Sequence, residues 1–530
     1  MSYNRLIEED ESPEITSPDT IDLKPDTKIQ VDIPPVLTKQ SAEVQLRANK
    51  PGILSRMIPS ASLLRSSSGT STRVPLTRAF SMPWTAGGLP KDQLHAQLVN
   101  DIAGYLLSFG APSYRVDARL KDIATMLDVP FTAFYLPTNF MLSLGDGSVK
   151  HPSRTTFHAV SPTWNMGKLL HLDKFARDIQ KITSKKSQNA EIENQLLDLS
   201  NKLKVIVAEP SIYQNWQVIL SCSVQAACLV MVIFNGDFAD AAASFLLGGF
   251  ACGINLFASK YASSLSTTIF VSFFVSLLAT IVGNQIFWKW TGNQGICNET
   301  VIISSLVLYL PGTQFAVSLM EVGYDFAAAG AVRMFLAFVK SMQLGFGISA
   351  GSKTAIYLMD LAGLWDAEAH ASVCEPARYK PWWIMLFYLP MTFATLINLK
   401  SVPIQWPTMA FVSTIAFFTL QICKMSFNVE LSLIVTSFTL GVISNYIAKT
   451  RNEVALPSIM AGIMWIVPGG IGAQGAAAAF SDDGGSDFMV EVLRRSLSMV
   501  IGLYMANLTM SPLVSLLQTP TTDLDKDLDV

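Results

Sequence analysis

A cluster of charged side chains follows a proline–glycine pair, Pro311-Gly312, inside an apolar part of the chain. The charged residues that follow the pair are Glu321, Asp325, Arg333 and Lys340. An unpaired charge costs at least about 2.5–3.5 kcal/mol inside a membrane, so charges among apolar residues need a reason. An amino acid carries both an ammonium and a carboxylate group, and this cluster offers partners for both. We predict that the cluster binds a charged solute, and a water-exposed loop is the alternative.

A second proline–glycine pair, Pro468-Gly469, interrupts an apolar run later in the chain. Proline removes a backbone donor and glycine loosens a helix, so each pair frees backbone groups that can hold a zwitterion or an ion. Gln314 and Gln474 lie just beyond the two pairs and can add amide contacts. A plain kink for packing is the alternative. The solute site is therefore predicted to include Pro311, Gly312, Gln314, Pro468, Gly469 and Gln474.

The elements that must position these residues are long apolar runs. Of the 530 residues, 50% are hydrophobic and only 15% are charged, against about 25% charged in average soluble domains. From Pro210 onward, ten runs are long enough to cross a hydrocarbon core of about 30 Å. We therefore predict an all-α polytopic membrane bundle of about ten transmembrane helices. The runs cover residues 210–236, 241–259, 261–288, 300–320, 334–352, 381–399, 401–423, 431–448, 454–481 and 496–518.

The ten runs fall into two sets of five, residues 210–352 and 381–518, with a polar loop at 353–380 between them. Asp325 follows Pro311 at the same spacing as Asp482 follows Pro468. Because five is an odd number, a repeated five-helix unit must enter the membrane the second time from the opposite side. Inverted repeats with broken helices are typical of secondary transporters.

A small soluble α/β domain is predicted to precede the membrane part, at residues 91–209. Residues 1–90 read as a disordered cytosolic tail because they are polar and show no helix or strand periodicity, and residues 519–530 read as a C-terminal tail. Within the domain, periodicity predicts helices and strands in the order α, α, β, β, β, α, α. Their predicted ranges are 93–109, 113–127, 131–136, 139–144, 155–160, 167–182 and 190–207.

Two sequence motifs resemble those of the threonine/serine exporter (ThrE) family, in its fungal form, the pheromone-regulated membrane proteins. The first is the leucine-rich stretch 106–117, which contains Gly-Ala-Pro and then Arg115-Val116-Asp117. The second is Pro311-Gly312 followed by Glu321, Gly330 and Arg333. Family members tend to carry aspartate where Glu321 stands. They also commonly carry an asparagine between the proline–glycine pair and this acidic residue, where this chain has Val317 and Ser318 instead. The resemblance covers about residues 90–518.

The resemblance implies a secondary transporter that exports small hydrophilic amino acids or related carboxylates, with an ion gradient as the driving force. It implies that the protein is not an enzyme and needs no cofactor. The implied partners are the solute, a possible coupling ion and the lipid bilayer, but not nucleic acid. A homo-oligomer is possible. The protein is expected in the plasma membrane or an internal membrane such as the vacuole. Two alternatives remain: a non-transporting scaffold or mating-related protein, and a membrane-embedded hydrolase that uses Ser113, His151 and His158.

Both chain termini are predicted to lie in the cytosol because Lys202 and Lys204 flank the first span. This topology places a glycosylation sequon, at Asn298, outside. It also places Cys297 and Cys374 together on the oxidising side, where we expect a disulfide between them. Lys424 is expected in a short loop that faces water.

Overall fold

The described part of the chain lies within one compact unit, Val74–Val530. The computed structural model describes residues 91–145, 153–184, 189–234, 236–258, 264–283, 296–364, 382–451, 453–466, 475, 477–480 and 488–517. The predicted tails at 1–90 and 519–530 lie outside these residues. The described chain is mostly helical and contains one small sheet.

The N-terminal part of this unit contains four helices and three strands, in the predicted order. Their bounds are α1 Lys91–Ser108, α2 Ser113–Leu127, β1 Phe131–Tyr135, β2 Asn139–Leu144, β3 Arg154–Ala159, α3 Met166–Ser184 and α4 Asn189–Ala208. The sheet is antiparallel in the order β1-β2-β3, with Phe131 opposite Leu144 and Asn139 opposite Ala159. Gly110 has a φ of +89° between α1 and α2, a conformation that glycine adopts at no steric cost. The predicted elements are confirmed to within a few residues at each end.

The second part of the unit is a bundle of apolar helices. Their bounds are α5 Asn215–Ile233, α6 Phe238–Ala258, α7 Ser264–Val282, α8 Asn298–Ser305, α9 Gly312–Gly323, α10 Ala327–Leu361, α11 Trp382–Asn398, α12 Trp406–Ser426, α13 Val429–Arg451, α14 Ala455–Ile463 and α15 Phe488–Leu517. Within the described residues, five helices are long and apolar enough to cross a membrane, or six if the bent pair formed by α8 and α9 counts as one. Each predicted span overlaps a helix, but the helices outside this group of five or six are shorter or only partly described. Five to six spans are therefore supported, and ten remain a prediction.

The predicted break at the first proline–glycine pair is present. A short 3₁₀ turn, Val307–Tyr309, follows α8, and α9 begins at Gly312 directly after Pro311. The helical segments on the two sides of this break are bent by 58°. A proline at the start of a helix leaves no donor unsatisfied there, which explains why α9 restarts at this position.

Large apolar side chains are exposed around the bundle, among them Leu246 at 65%, Phe335 at 63% and Leu508 at 72%. A continuous exposed apolar surface is unusual for a protein in water and marks contact with a partner or a membrane. Because these side chains lie on helices of membrane-spanning length, we interpret the surface as the lipid-facing side of the bundle.

Two helix pairs approach closely through small residues. A Cβ atom on Gly351 of α10 would lie 2.3 Å from the Phe273 carbonyl oxygen of α7, and one on Gly502 of α15 would lie 2.3 Å from the Ile434 carbonyl oxygen of α13. Close approach through glycine and serine is the usual way that membrane helices associate. The α7–α10 and α13–α15 pairs therefore have the same kind of interface.

The N-terminal domain and the apolar bundle share one hydrophobic core. Three junctions of the bundle contact the domain. At the α9–α10 junction, Glu321 accepts hydrogen bonds from Ser113. After α11, the Leu399 carbonyl accepts a bond from the Met166 amide at 3.0 Å. Before α14, Glu453 lines a cavity with residues of α1, α2 and α3. The domain is thus packed against one end of several bundle helices.

Candidate functional site

A cavity of about 390 Å³ lies between the helix break at Pro311 and the end of α14. We call it the central cavity. Leu308, Leu310 and Thr313 line it on both sides of Pro311. Met464 and Ile466 line it at the end of α14. Cavities of about 300–1,000 Å³ hold small-molecule ligands. The central cavity is therefore the candidate functional site.

Side-chain amides form a polar wall inside this largely apolar cavity. Asn398 of α11 donates a hydrogen bond from its amide to Oε1 of Gln225 of α5. The Gln225 amide donates to the Thr395 hydroxyl at 3.3 Å, and the Ser221 hydroxyl donates to Asn398 Oδ1 at 2.7 Å. Gln225 is fully buried. Such a network is strengthened by its low-dielectric surroundings, and it joins a helix of the first half of the bundle to one of the second.

Two cationic side chains line the central cavity, Lys424 of α12 and Arg495 of α15. Arg495 Nε donates to Glu491 Oε1 at 2.5 Å on its own helix, while no carboxylate is among the residues that line the cavity. Arg495 is thus already compensated, and Lys424 is exposed to solvent, so Lys424 is the more available partner for an anionic group. The prediction that Lys424 lies in a loop is wrong: it lies in the last turn of α12, and it lines the cavity because that helix runs on to Ser426.

The wall of the central cavity includes one side chain from the N-terminal domain, Trp164. Its indole ring packs against Gly110, where an added Cβ would lie 2.9 Å from Trp164 Cε3. Trp465, which also lines the cavity, is held by a 2.7 Å hydrogen bond from its indole N–H to the Ser413 hydroxyl and by stacking on Tyr388. The cavity therefore has rigid aromatic walls, one of which belongs to the domain.

Glu321 and Arg333 form a buried ion pair outside the central cavity. Glu321 is fully buried, and its two oxygens accept hydrogen bonds from Arg333 Nε at 2.8 Å and Nη2 at 2.9 Å. Oε1 of Glu321 also accepts from the Ser113 amide at 3.0 Å and the Ser113 hydroxyl at 2.9 Å. Ser113 begins α2, whose N-terminus favours a negative charge. This cluster, which we call the domain latch, therefore ties the N-terminal domain to α9 and α10.

Aromatic contacts surround the domain latch. Tyr114 of α2 stacks on Tyr324 at 4.4 Å between ring centroids, and Tyr324 packs on Tyr504 of α15 at 5.1 Å. The Tyr504 hydroxyl donates to the Met320 carbonyl at 2.9 Å. The Glu321 side chain has no exposed surface, and burial strengthens the attraction within the ion pair and raises the cost of breaking it.

The other predicted solute-binding residues have varied surroundings. Pro311 and Gly312 are buried at the helix break, and Gln314 is half-buried in the first turn of α9. Asp325 is exposed in the turn between α9 and α10, with a φ of +67°. Lys340 is half-buried within α10 and forms no ion pair with the described residues. None of these four side chains, nor Gly312, is among those that line the central cavity.

Pro468, Gly469 and Gln474 lie outside the described residues, so their part in the site stays a prediction. Cys297 is disulfide-bonded, while Cys222, Cys228, Cys252 and Cys423 are buried and free. Cys374 lies outside the described residues, and the Cys297–Cys374 pairing stays a prediction. Asn298 is half-buried at the start of α8, with its Oδ1 close to Gly283, the residue that follows α7.

The residues considered for a hydrolase are engaged elsewhere in the fold. The Ser113 hydroxyl donates to Glu321, and the His158 imidazole contacts Asn100 Oδ1 at 2.8 Å and stacks on Phe140. Burial lowers the pKa of His158. His151 lies outside the described residues. These contacts give Ser113 a place in the domain latch rather than beside an imidazole.

The polar residues of the central cavity were missed at the sequence level. Gln225 and Asn398 each stand near the middle or end of a charge-free apolar run, and an amide in such a run is costly unless it has a partner. That rarity was the available signal. Their partnership could not be read from spacing because the two residues are 173 positions apart.

Comparison with known proteins bears on these sites. A sequence-family model described as "Putative threonine/serine exporter" matches residues 97–355. The matched region includes the domain latch and the first broken segment, and it ends inside α10. No solved structure is significantly similar to the chain.

Several fungal proteins are similar over a longer region. An uncharacterized protein of Schizosaccharomyces pombe is 26% identical over 382 residues, which is 71% of this chain and 47% of the relative. The pheromone-regulated membrane protein 10 of Saccharomyces cerevisiae (strain YJM789) is 26% identical over 372 residues, 70% of this chain and 45% of the relative. Its counterpart in Yarrowia lipolytica is 24% identical over 383 residues, 71% of this chain and 30% of the relative. The chain thus spans about half or less of the length of these relatives.

Proposed function

We propose that the protein is a secondary transporter that exports small hydrophilic amino acids of the threonine or serine type, or related carboxylates, through the central cavity. The observation that carries this proposal is that the helix break at Pro311 and the end of α14 line one cavity with a buried amide wall. Broken helices expose backbone N–H and C=O groups near the middle of a membrane, and transporters use these groups to hold solutes and ions.

The chemistry of the cavity lining supports a small solute with a carboxylate. Lys424 and Arg495 offer positive charge, and arginine binds carboxylates through a planar fork. Gln225 and Asn398 offer amide groups that can exchange hydrogen bonds with a solute hydroxyl or ammonium. The volume of about 390 Å³ accommodates a solute of the size of threonine together with bound water. A coupling ion would use the same freed carbonyl groups.

Two inverted five-helix repeats are part of the proposal. Its support is that α7 packs on α10 in the first half as α13 packs on α15 in the second, with a glycine against a backbone carbonyl in both. The α6–α8 contact likewise has a counterpart in the α12–α14 contact. In such a fold, one half rocks against the other around a fixed site, so that the cavity opens to each side of the membrane in turn.

We further propose that the N-terminal domain lies on the cytosolic side and closes the cavity there through Trp164. The junctions that contact the domain, after α9, after α11 and before α14, all fall on the side that the charge pattern assigns to the cytosol. Both termini would then be cytosolic. The protein would reside in the plasma membrane or in an internal membrane such as the vacuole.

Efflux from proteoliposomes tests the proposal. Purified full-length protein is reconstituted, loaded with labelled threonine, serine or malate, and compared with protein-free liposomes. We expect protein-dependent efflux of at least one of these solutes. Thr313→Trp, which fills the cavity beside the helix break, should reduce that efflux at least tenfold. Correctly inserted protein that moves none of the three solutes would contradict the proposal and favour a non-transporting scaffold.

A further inference from the structure

A second cavity, of about 360 Å³, lies between the N-terminal domain and the start of α14. We call it the junction cavity. Ile102 of α1, Arg115 of α2 and Leu169 of α3 line it on the domain side, and Glu453 and Leu456 line it on the side of the bundle. It shares no lining residue with the central cavity. The volume is within the range of small-molecule sites.

Most charges at the junction cavity are already compensated. Asp173 is nearly buried and pairs with Arg119 at 2.8 Å and with Arg177, and Arg119 also lies 3.9 Å from Asp122. These groups neutralise one another without any ligand. They form a fixed polar edge of the cavity, and they leave two further charged side chains to be accounted for.

The two remaining charges are Arg115 and Glu453, which have opposite signs. Arg115 donates to the Tyr114 hydroxyl at 3.3 Å, and its guanidinium lies 5.8 Å from the centre of the Tyr114 ring. Within the described part of the chain, neither Arg115 nor Glu453 has an ion-pair partner. Both are only partly exposed, and a half-buried charge without a partner is costly. A ligand with charges of both signs would remove that cost.

The bundle side of the junction cavity adds a place for an anion. Val454 caps α14, so the amides of Ala455 and Leu456 lie in its first turn. The amides of a first turn have no acceptor within their own helix, and they favour a negative group. Together with Arg115, they provide for a carboxylate, while Glu453, which lines the same cavity, provides for an ammonium group.

The rest of the junction cavity is apolar. Ile102, Leu106, Leu169, Leu172 and Leu456 contribute buried hydrocarbon to its wall. Such a wall favours an apolar side chain over the hydroxyl of threonine or serine because a buried hydroxyl without a partner costs free energy. The lining therefore differs in kind from the amide wall of the central cavity.

We propose that the junction cavity binds an α-amino acid with an apolar side chain, with its carboxylate at Arg115 and the first turn of α14 and its ammonium at Glu453. The ligand would act as an effector. Leu456 lines the junction cavity and Met460, one turn further along α14, lines the central cavity. A ligand that fixes the start of this helix against the domain thus changes the wall of the other cavity, which is the requirement for coupling between two sites.

Calorimetric titration of the full-length protein in detergent with L-leucine tests the site itself. We expect saturable binding of one leucine per chain. Arg115→Gln and Glu453→Gln should each lower the affinity for leucine at least tenfold. The wild type should bind the analogues 4-methylpentanoate and 3-methylbutylamine, each of which lacks one charge of leucine, at least tenfold more weakly than leucine. Lys121→Gln is the matched control because Lys121 is largely exposed and pairs with Asp117 away from the cavity; it should bind leucine like the wild type. Absence of saturable binding, or equal binding by wild type and both variants, overturns the proposal.

The Thr313→Trp variant separates the two cavities. Leucine binding should persist in this variant because Thr313 lines only the central cavity. Loss of binding would place leucine in the central cavity and overturn the proposal. The effector role alone rests on the proposed transport function: leucine on the domain side should change threonine efflux at least twofold in wild type and not in Arg115→Gln. Binding without any effect on a working transporter would overturn that role, whereas absence of efflux with binding intact would count against transport alone.

Discussion

At the scale of single residues, Glu321 holds the N-terminal domain and the bundle together. Removing its charge by Glu321→Gln leaves Arg333 half-buried beside a neutral group. Breaking one partner of a buried ion pair costs about 3–5 kcal/mol because the other charge is left uncompensated. We expect a clear fall in the thermal unfolding midpoint of the detergent-purified protein.

The second member of this pair provides the internal check. Adding Arg333→Gln to Glu321→Gln removes the uncompensated charge, so the double variant should be more stable than Glu321→Gln alone. Asp325→Asn is the matched control, since Asp325 is exposed and should change the midpoint little. Additive losses in the double variant would show that the two side chains are not coupled.

A buried carboxyl in the domain makes stability depend on pH. Asp101 is 3% exposed, and burial raises its pKa from 3.8 to about 6, against a smaller opposing effect of Lys204. Because the folded pKa lies above the unfolded one, the stability associated with the protonated group is complete below pH 4 and is lost as the pH rises through about 6. Asp101→Asn should therefore stabilise the protein at pH 7.5, by up to about 3 kcal/mol.

The pH profile distinguishes this effect from a general one. Unfolding midpoints of wild type and Asp101→Asn should converge below about pH 4, separate as the pH rises from about 4 to about 6, and differ by a constant amount above that. Asp122→Asn, at a carboxyl that is 60% exposed, is the control for the substitution itself and should change the midpoint at pH 7.5 little. A constant difference between wild type and Asp101→Asn across the whole range would mean that Asp101 does not titrate as described.

Residue chemistry was only partly predictable from the sequence. The charged cluster and the helix break were visible because charges and a proline–glycine pair stand out in apolar runs. Glu321 and Arg333 were both predicted as members of the solute-binding cluster, and the structure pairs them with each other. Ser113 was not among the predicted members, because it lies 208 positions from Glu321, and no local pattern can join residues at that distance.

At the scale of elements, close helix packing depends on particular glycines. A methyl group at Gly351 or Gly502 would lie 2.3 Å from a backbone carbonyl oxygen of the facing helix. Backbone cannot move aside as a side chain can, so the helices must separate. We expect Gly351→Ala and Gly502→Ala each to destabilise the protein by about 1–3 kcal/mol, the usual cost of overpacking, measured by thermal unfolding in detergent.

Gly253 supplies the matched control for both variants. It also lies within an apolar helix, α6, but an added Cβ would meet nothing within 4 Å. Gly253→Ala should be neutral or slightly stabilising, because alanine favours a helix over glycine by about 1 kcal/mol. Equal effects of all three substitutions would mean that the two glycine interfaces are not as tight as described.

Periodicity and turn residues predicted most elements well, and some boundaries were matched to the residue. The helix Ser113–Leu127 and the strand Asn139–Leu144 agree with prediction because Pro112 and the turn at Gly145 delimit them. The number of spans does not follow from the sequence in the same way, because an apolar run determines neither where a helix bends nor how much of it is straight. The break after α8 illustrates this: it begins at Leu306, several residues before Pro311.

At the scale of the whole molecule, the predicted disulfide would tie the first half of the bundle to the loop between the halves. Non-reducing peptide mapping should find Cys297 linked to Cys374. The disulfide would close a ring of about 77 residues between Cys297 and Cys374. Closing such a ring stabilises the fold by roughly 4 kcal/mol on the chain-entropy model, so reduction should lower the unfolding midpoint. Cys297→Ser without added reductant should lower it equally, and Cys228→Ser, at a free buried thiol, should not respond to reductant. A free Cys374 thiol in the mapping would end this prediction.

The N-terminal domain and the bundle share one hydrophobic core, so we expect these two parts to unfold together. The measurement that tests this account most directly is threonine efflux from proteoliposomes that contain Asn398→Leu or, as control, Asn445→Leu. Each substitution removes a hydrogen bond between side-chain amides of two helices. Asn398 bonds to Gln225 in the cavity wall, whereas Asn445 bonds to Asn507, at 2.8 Å, outside the cavity lining. With equal amounts of inserted protein, we predict that Asn398→Leu reduces efflux at least tenfold while Asn445→Leu stays within twofold of wild type. Wild-type efflux by Asn398→Leu, or an equal loss in both variants, would contradict a solute site in the central cavity.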